Sequence, residues 1–155
     1  EGGIRAPLIA RWPGKISAGT TTAHVSAHWD LLPTVCELAE ASTPDDIDGI
    51  SYVPTLIGKT SEQTPHPYLY WEFTERGGKQ AVRMGKWKGV REELFKNTNA
   101  PLQLYDLSQD IGEENDLAKM HPEKVEQLED LLTEAHVESE TFPPFNRSKR
   151  IQKKK

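Results

Sequence analysis

The sequence predicts an α/β chain in two parts: the end of an α/β domain, then a small α+β subdomain with an antiparallel sheet and a packing helix. Three observations predict this. Leu8-Ile9-Ala10 is a short apolar run bounded by Pro7 and Pro13-Gly14, the pattern of a strand buried on both faces of a parallel sheet. From Tyr68 the pattern changes to aromatic and β-branched runs separated by glycine-bearing turns, as in a set of short antiparallel strands. A last segment from Pro122 carries Val125, Leu128, Leu132 and Ala135 on one helical face, spaced for packing against that sheet.

In chain order, Gly2-Gly3 permits positive φ and close backbone approach, as a tight turn beside a ligand site needs. Arg5 and Arg11 flank the apolar run, either as rim charges or as ligand contacts. After a polar loop, Asp30 is a candidate N-cap and Pro33 fits the first helical turn. Leu31, Leu32, Val35, Leu38 and Ala39 form one apolar face, and the helix is expected to stop near Pro44. Asp45 to Ile50 reads as a turn, and Tyr52 to Ile57 as one helical turn. Residues 58–67 are polar and proline-bearing, a junction. Strands are expected over 68–73, 80–84, 87–91 and 102–107, with a hairpin-type loop at Thr74–Lys79 and a turn at Gly85-Lys86. Pro122 opens the last helix, with Glu123 near its positive end. The run Thr141-Phe142-Pro143-Pro144-Phe145 reads as an aromatic clasp, or as a proline-rich ligand motif. The divisions are therefore 1–60, 61–145, and a basic, disordered tail over 146–155.

Composition narrows the function. The chain has 155 residues and a net charge of -5, and its hydrophobic content is low at 35%. Six of the basic side chains lie in the last ten residues, leaving 13 against 24 acidic ones. The body is acidic, which argues against nucleic acid as a partner. No run approaches the 18 apolar residues of a membrane span. A single cysteine rules out an internal disulfide.

Several side chains are candidates for chemistry. His24 and His28 are four apart with Asp30 nearby, but they precede the helix and lack the His-Glu-x-x-His pattern, so no metal ligand is assigned. The acidic runs at Asp45–Asp48 and Asp110–Asp116 lack the EF-hand order and read as solvated turns. Cys36 reads as a small buried thiol. Trp71-Glu72-Phe73 with the following loop is the best candidate for ligand contact. Trp71 can stack on a sugar face, and Glu72 or Arg76 can hydrogen-bond hydroxyls or sulfate. The alternative is a sheet-packing aromatic followed by an exposed hairpin.

Separate segments resemble one family. Glu1-Gly2-Gly3-Ile4-Arg5-Ala6-Pro7 with Arg11-Trp12-Pro13-Gly14 is similar to a signature of the type I, formylglycine-dependent sulfatases. So are Asp30-Leu31-Leu32-Pro33-Thr34, Asp48-Gly49-Ile50-Ser51, and Arg83-Met84-Gly85-Lys86-Trp87-Lys88. Leu104-Tyr105-Asp106-Leu107 with Glu113 to Ala118 and His121-Pro122-Glu123 resembles the closing segment. The likeness spans nearly residues 1–136.

The resemblance implies an alkaline-phosphatase-like fold and sulfate-ester hydrolysis by a parent enzyme. In that family a formylglycine made from a C/S-x-P-S-R motif is the nucleophile, and calcium binds the sulfate. This sequence has no such motif, and Cys36 is followed by Glu37-Leu38-Ala39. The resemblance therefore implies the C-terminal portion of a sulfatase, with no catalytic residue of its own and calcium bound elsewhere in the parent. Alone, the chain is expected neither to bind calcium tightly nor to cleave an aryl sulfate. Its partners would be the N-terminal catalytic half and a sulfated small molecule or glycan. Glu1, Gly2, Gly3 and Arg5 would support the site, and periplasmic or secreted location follows from the likeness. Two alternatives stand beside it: a carbohydrate-binding module that depends on Trp71, and a related phosphate- or phosphonate-ester hydrolase.

Overall fold

The computed structural model describes residues 1–137 and residue 139. It forms two compact units: Arg5–Pro67, and Glu1–Ile4 together with the chain from Tyr68 onward. The clasp over 141–145 and the tail over 146–155 lie outside the described residues.

The sheet unit follows its local sequence signals closely. Strands β1 (Leu69–Phe73), β2 (Lys79–Met84), β3 (Trp87–Arg91) and β4 (Gln103–Asp106) form an antiparallel sheet in the order β1-β2-β3-β4. Gly85 takes φ +59° in the tight β2–β3 turn, where a side chain would be strained. Helix α3 (Pro122–Ala135) lies on one face. Its Leu128 and Leu132 join Val82, Leu102 and Leu104 in the core. Each such leucine contributes about 1.5–3 kcal/mol by leaving water. Gly89 makes this packing possible, because a Cβ there would stand 2.9 Å from Leu102 Cδ2 and 3.2 Å from Leu128 Cδ1.

Strand alternation divides the sheet's side chains. Tyr70, Glu72, Gln80, Val82 and Leu104 share the face toward α3, whereas Trp71, Arg83 and Lys88 belong to the other face.

The second unit departs from expectation. Leu8-Ile9-Ala10 is not a strand, and Leu8 and Ile9 are 62% and 92% exposed. A strand needs a neighbour to take its N–H and C=O groups. All four strands among the described residues lie in the sheet unit. Helix α1 (Leu31–Leu38) follows a single 3-10 turn, His28–Asp30. It buries Pro33 and Thr34, while Leu31, Leu32, Val35 and Leu38 stay exposed. The apolar stripe predicted as its packing face is thus uncovered in this unit. The helix also ends earlier than expected. Glu40 takes φ 53°, and the Ala41 N–H bonds back to the Cys36 carbonyl at 2.9 Å, a Schellman-type stop without glycine. Helix α2 (Val53–Leu56) is the one short helical turn expected there.

Candidate functional site

Glu1 to Ile4 form a turn closed by the Ile4 N–H on the Glu1 carbonyl at 3.0 Å. Neither Gly2 nor Gly3 has positive φ, and a Cβ at either would meet no atom within 4 Å. The conformational freedom expected of this glycine pair is therefore not used by the turn.

The Glu1 side chain and the Glu1 nitrogen hold the turn to the sheet. Lys88 Nζ stands 3.1 Å from Glu1 Oε1, and Arg83 Nη1 stands 3.6 Å from Glu1 Oε2. Lys88 also donates to Glu113 Oε1 at 2.5 Å, and the Glu1 backbone nitrogen reaches the same oxygen at 2.5 Å. Arg83 and Lys88 are cross-strand partners in the β2–β3 register, so their side chains emerge together on one face. Glu113 is brought in by the segment after β4. There the Leu117 N–H bonds the Leu104 carbonyl at 2.8 Å, and Asp116 Oδ1 accepts from the Leu104 N–H at 3.0 Å.

The result is a quartet of two cations and two carboxylates, in which the Lys88 and Glu1 side chains are only 5% and 4% exposed. Burial alone would lower the Lys88 pKa, but the hydrogen bond to Glu113 and the charge of the Glu1 carboxylate outweigh that and raise it. Burial likewise pushes the Glu113 carboxyl up, and the Lys88 hydrogen bond brings it below its ordinary value.

The three predicted ligand contacts are distributed differently. Trp71 is half-buried on the face that carries Arg83 and Lys88. It lies two residues along β1 from Leu69, the partner of Arg83, a separation of about 7 Å. Glu72 points to the opposite face. It accepts from the Tyr70 hydroxyl, from Gln80 Nε2 at 3.2 Å and faces His136 Nδ1 at 2.5 Å. Its burial would raise its pKa, but these hydrogen bonds lower it, while burial and the Glu72 contact raise that of Tyr70. Arg76 is exposed in the β1–β2 loop with φ 45°, beside Gly77 and Gly78, which are also left-handed. Arg5 belongs to the other unit and is exposed.

That unit has its own polar centre. Asp30, 1% exposed, caps no helix N–H; its carboxylate accepts from the Ala27 N–H at 2.7 Å and the Ile50 N–H at 2.9 Å, and sits 2.8 Å from His66 Nε2. Thr34 Oγ1 donates to the Asp30 carbonyl at 2.7 Å and accepts from the Tyr52 N–H at 3.1 Å. Gly49 is forced, because a Cβ there would lie 2.5 Å from the Trp29 carbonyl oxygen. Asp30 and Thr34 thus stitch the helix start to the Asp48–Ser51 turn. His24 lies near this centre, and burial lowers its pKa despite the Asp30 charge.

Lys88 and Glu113 lie within the family-like segments, but no role for them, or for His66 and His136, is legible there, because their partners lie 25 to 112 positions away. Among the described residues, no group of three or more His, Cys, Asp or Glu side chains is placed to hold a metal ion. Cys36 is half-buried and free.

Comparison with known proteins gives a consistent result. A family model described as N-sulphoglucosamine sulphohydrolase, C-terminal, matches residues 1–139. Arylsulfatase A of Homo sapiens is 33% identical over 93% of this chain and 33% of its own length. N-acetylgalactosamine-6-O-sulfatase of Bacteroides thetaiotaomicron is 31% identical over 85% of the chain and 27% of its own length. A solved 2-O GAG sulfatase aligns with a TM-score of 0.57 and 31% identity, over 68% of this chain and 23% of that one. The chain spans a third or less of the length of these relatives.

Proposed function

The chain belongs to the sulfatase family, and we propose that it forms the C-terminal part of an enzyme that hydrolyses sulfate esters of sulfated glycans. In this reading residues 1–60 end the α/β catalytic domain and 61–145 make its C-terminal subdomain. The observation that carries it is one sheet face bearing Trp71, Arg83, Lys88 and, through Glu1, the Glu-Gly-Gly turn. Such a face joins an aromatic platform for a sugar ring to a fixed backbone turn. Trp71 and Arg76 contact the glycan, Arg76 by hydrogen bonds to hydroxyls or sulfate. Glu72 serves this surface from behind, because its carboxylate is committed to Tyr70, Gln80 and His136. Glu1, Gly2 and Gly3 support the site.

The nucleophile and a calcium ion belong to the catalytic half of the parent enzyme. The exposed stripe of Leu31, Leu32, Val35 and Leu38 supports an apolar contact with that half.

The coding DNA upstream of the Glu1 codon tests the reading. An open frame carrying C/S-x-P-S-R and acidic metal ligands is the expected finding. A start codon immediately before Glu1 would overturn it.

A further inference from the structure

Three segments distant in sequence meet at one buried ammonium. Lys88 comes from β3, which has neighbours on both sides. Glu113 comes from the segment tied to β4 through Leu104, and Glu1 comes from the turn. In that turn Gly2, Gly3 and Ile4 are exposed, and only the Glu1 side chain is buried. The glycines have no side chains to pack, so the sheet holds the turn through the Glu1 carboxylate and through the Glu1 nitrogen on Glu113. Glu1 Oε1 receives no aligned hydrogen bond among the described residues. Charge attraction to Lys88 therefore retains it, and in a buried setting that attraction is strong. Arg83 is the weaker partner, more exposed and 3.6 Å away.

We propose that Lys88 is a positioning residue: held by Glu113, it fixes Glu1 and so sets where the Gly2-Gly3 backbone stands on the Trp71 face. The effect of this placement on turnover rests on the sulfate-ester reading; the placement itself does not. Lys88 touches no substrate. It acts through Glu1, and a turn displaced by about 1 Å lowers turnover far more than it weakens binding. The open space above Gly2 and Gly3 leaves the turn's backbone accessible to a bound group.

Backbone order parameters and sulfate release test the proposal together. The Gly3 amide is expected to have an order parameter of about 0.85 in the wild-type protein and below about 0.6 in Glu1→Gln and Lys88→Met, with Leu104 unchanged. Lys88→Arg restores it in part. In the enzyme that contains this chain, Lys88→Met lowers kcat for sulfate release at least about tenfold with KM within about twofold, and Lys88→Arg recovers part of the loss. Should Lys88→Met fail to fold, Glu1→Gln decides, because it leaves Lys88 paired with Glu113. An unchanged Gly3 in Glu1→Gln, or equal losses in Lys88→Met and Lys88→Arg, would overturn the proposal. A Gly3 that loosens as expected in a wild-type enzyme that releases no sulfate would instead defeat the sulfate-ester reading and leave the positioning role standing.

Discussion

Leu128 and Leu32 occupy equivalent places in two amphipathic helices, but their surroundings differ. Leu128 is fully buried between α3 and the sheet, whereas Leu32 stays about half exposed on α1. The sheet unit covers its own apolar face. The Arg5–Pro67 unit holds its turns together with polar clamps and leaves its leucine stripe open. An apolar stripe therefore announces that a face will be covered, but not which segment covers it. The polar motif residues do the same work in both units: Asp30 with Thr34, and Lys88 with Glu113, each tie a helix or sheet to a remote turn.

The largest effects test those polar ties. Lys88→Met leaves the buried Glu1 carboxylate with only Arg83 and the half-buried Glu113 carboxylate with only the Glu1 nitrogen, and is expected to destabilise the sheet unit by about 3–5 kcal/mol. Asp30→Ala strands the Ala27 and Ile50 N–H groups and His66, and is expected to destabilise the other unit by about 2–4 kcal/mol. Hydrogen exchange localises each change: faster amides over 80–107 in the first variant and over 28–57 in the second. The next contrast concerns the two leucines. Leu128→Ala is expected to lose about 2–5 kcal/mol in urea denaturation, and Leu32→Ala less than about 0.5 kcal/mol.

Acid separates the units in a third way. His24 is held below its ordinary 6.5 by burial, so the unfolded chain takes up its proton first. That contribution is present above pH 6.5 and is lost as pH falls through the lowered folded value. In the sheet unit Glu72 and Glu113 are held below 4.5, by hydrogen bonds that outweigh burial. Their contribution is present above pH 4.5 and is lost as pH falls further. A pH titration followed by hydrogen exchange should loosen the Arg5–Pro67 amides before those of the sheet. The opposite order would break the comparison. The smallest effect on stability is at Gly3→Ala, within about 0.5 kcal/mol, because the added methyl meets open space. The same change should lower sulfate turnover if a bound group approaches the turn.

The sheet and its helix were legible because their signals are local. Period-two runs, the Gly85-Lys86 turn and the stripe through Val125, Leu128 and Leu132 each lie within a few residues of one another. Leu8-Ile9-Ala10 was misread because a buried strand is defined by its neighbours, and the run itself looks the same without them. The candidate site was half legible. Trp71 and the Glu-Gly-Gly turn were named from sequence, but that they share a face depends on strand register and on Lys88, which closes a family-like segment without its partners being legible there. Strand alternation alone would have separated Trp71 from Glu72, since adjacent residues of a strand point to opposite faces.

The central claim is tested most directly by measuring free sulfate released from a sulfated glycosaminoglycan by the enzyme that contains this chain, comparing wild type with Trp71→Ala. The account predicts release by the wild type, and a kcat/KM at least about tenfold lower in Trp71→Ala with the fold intact. No sulfate from the wild type, or release of phosphate from a phosphate ester in its place, would contradict it.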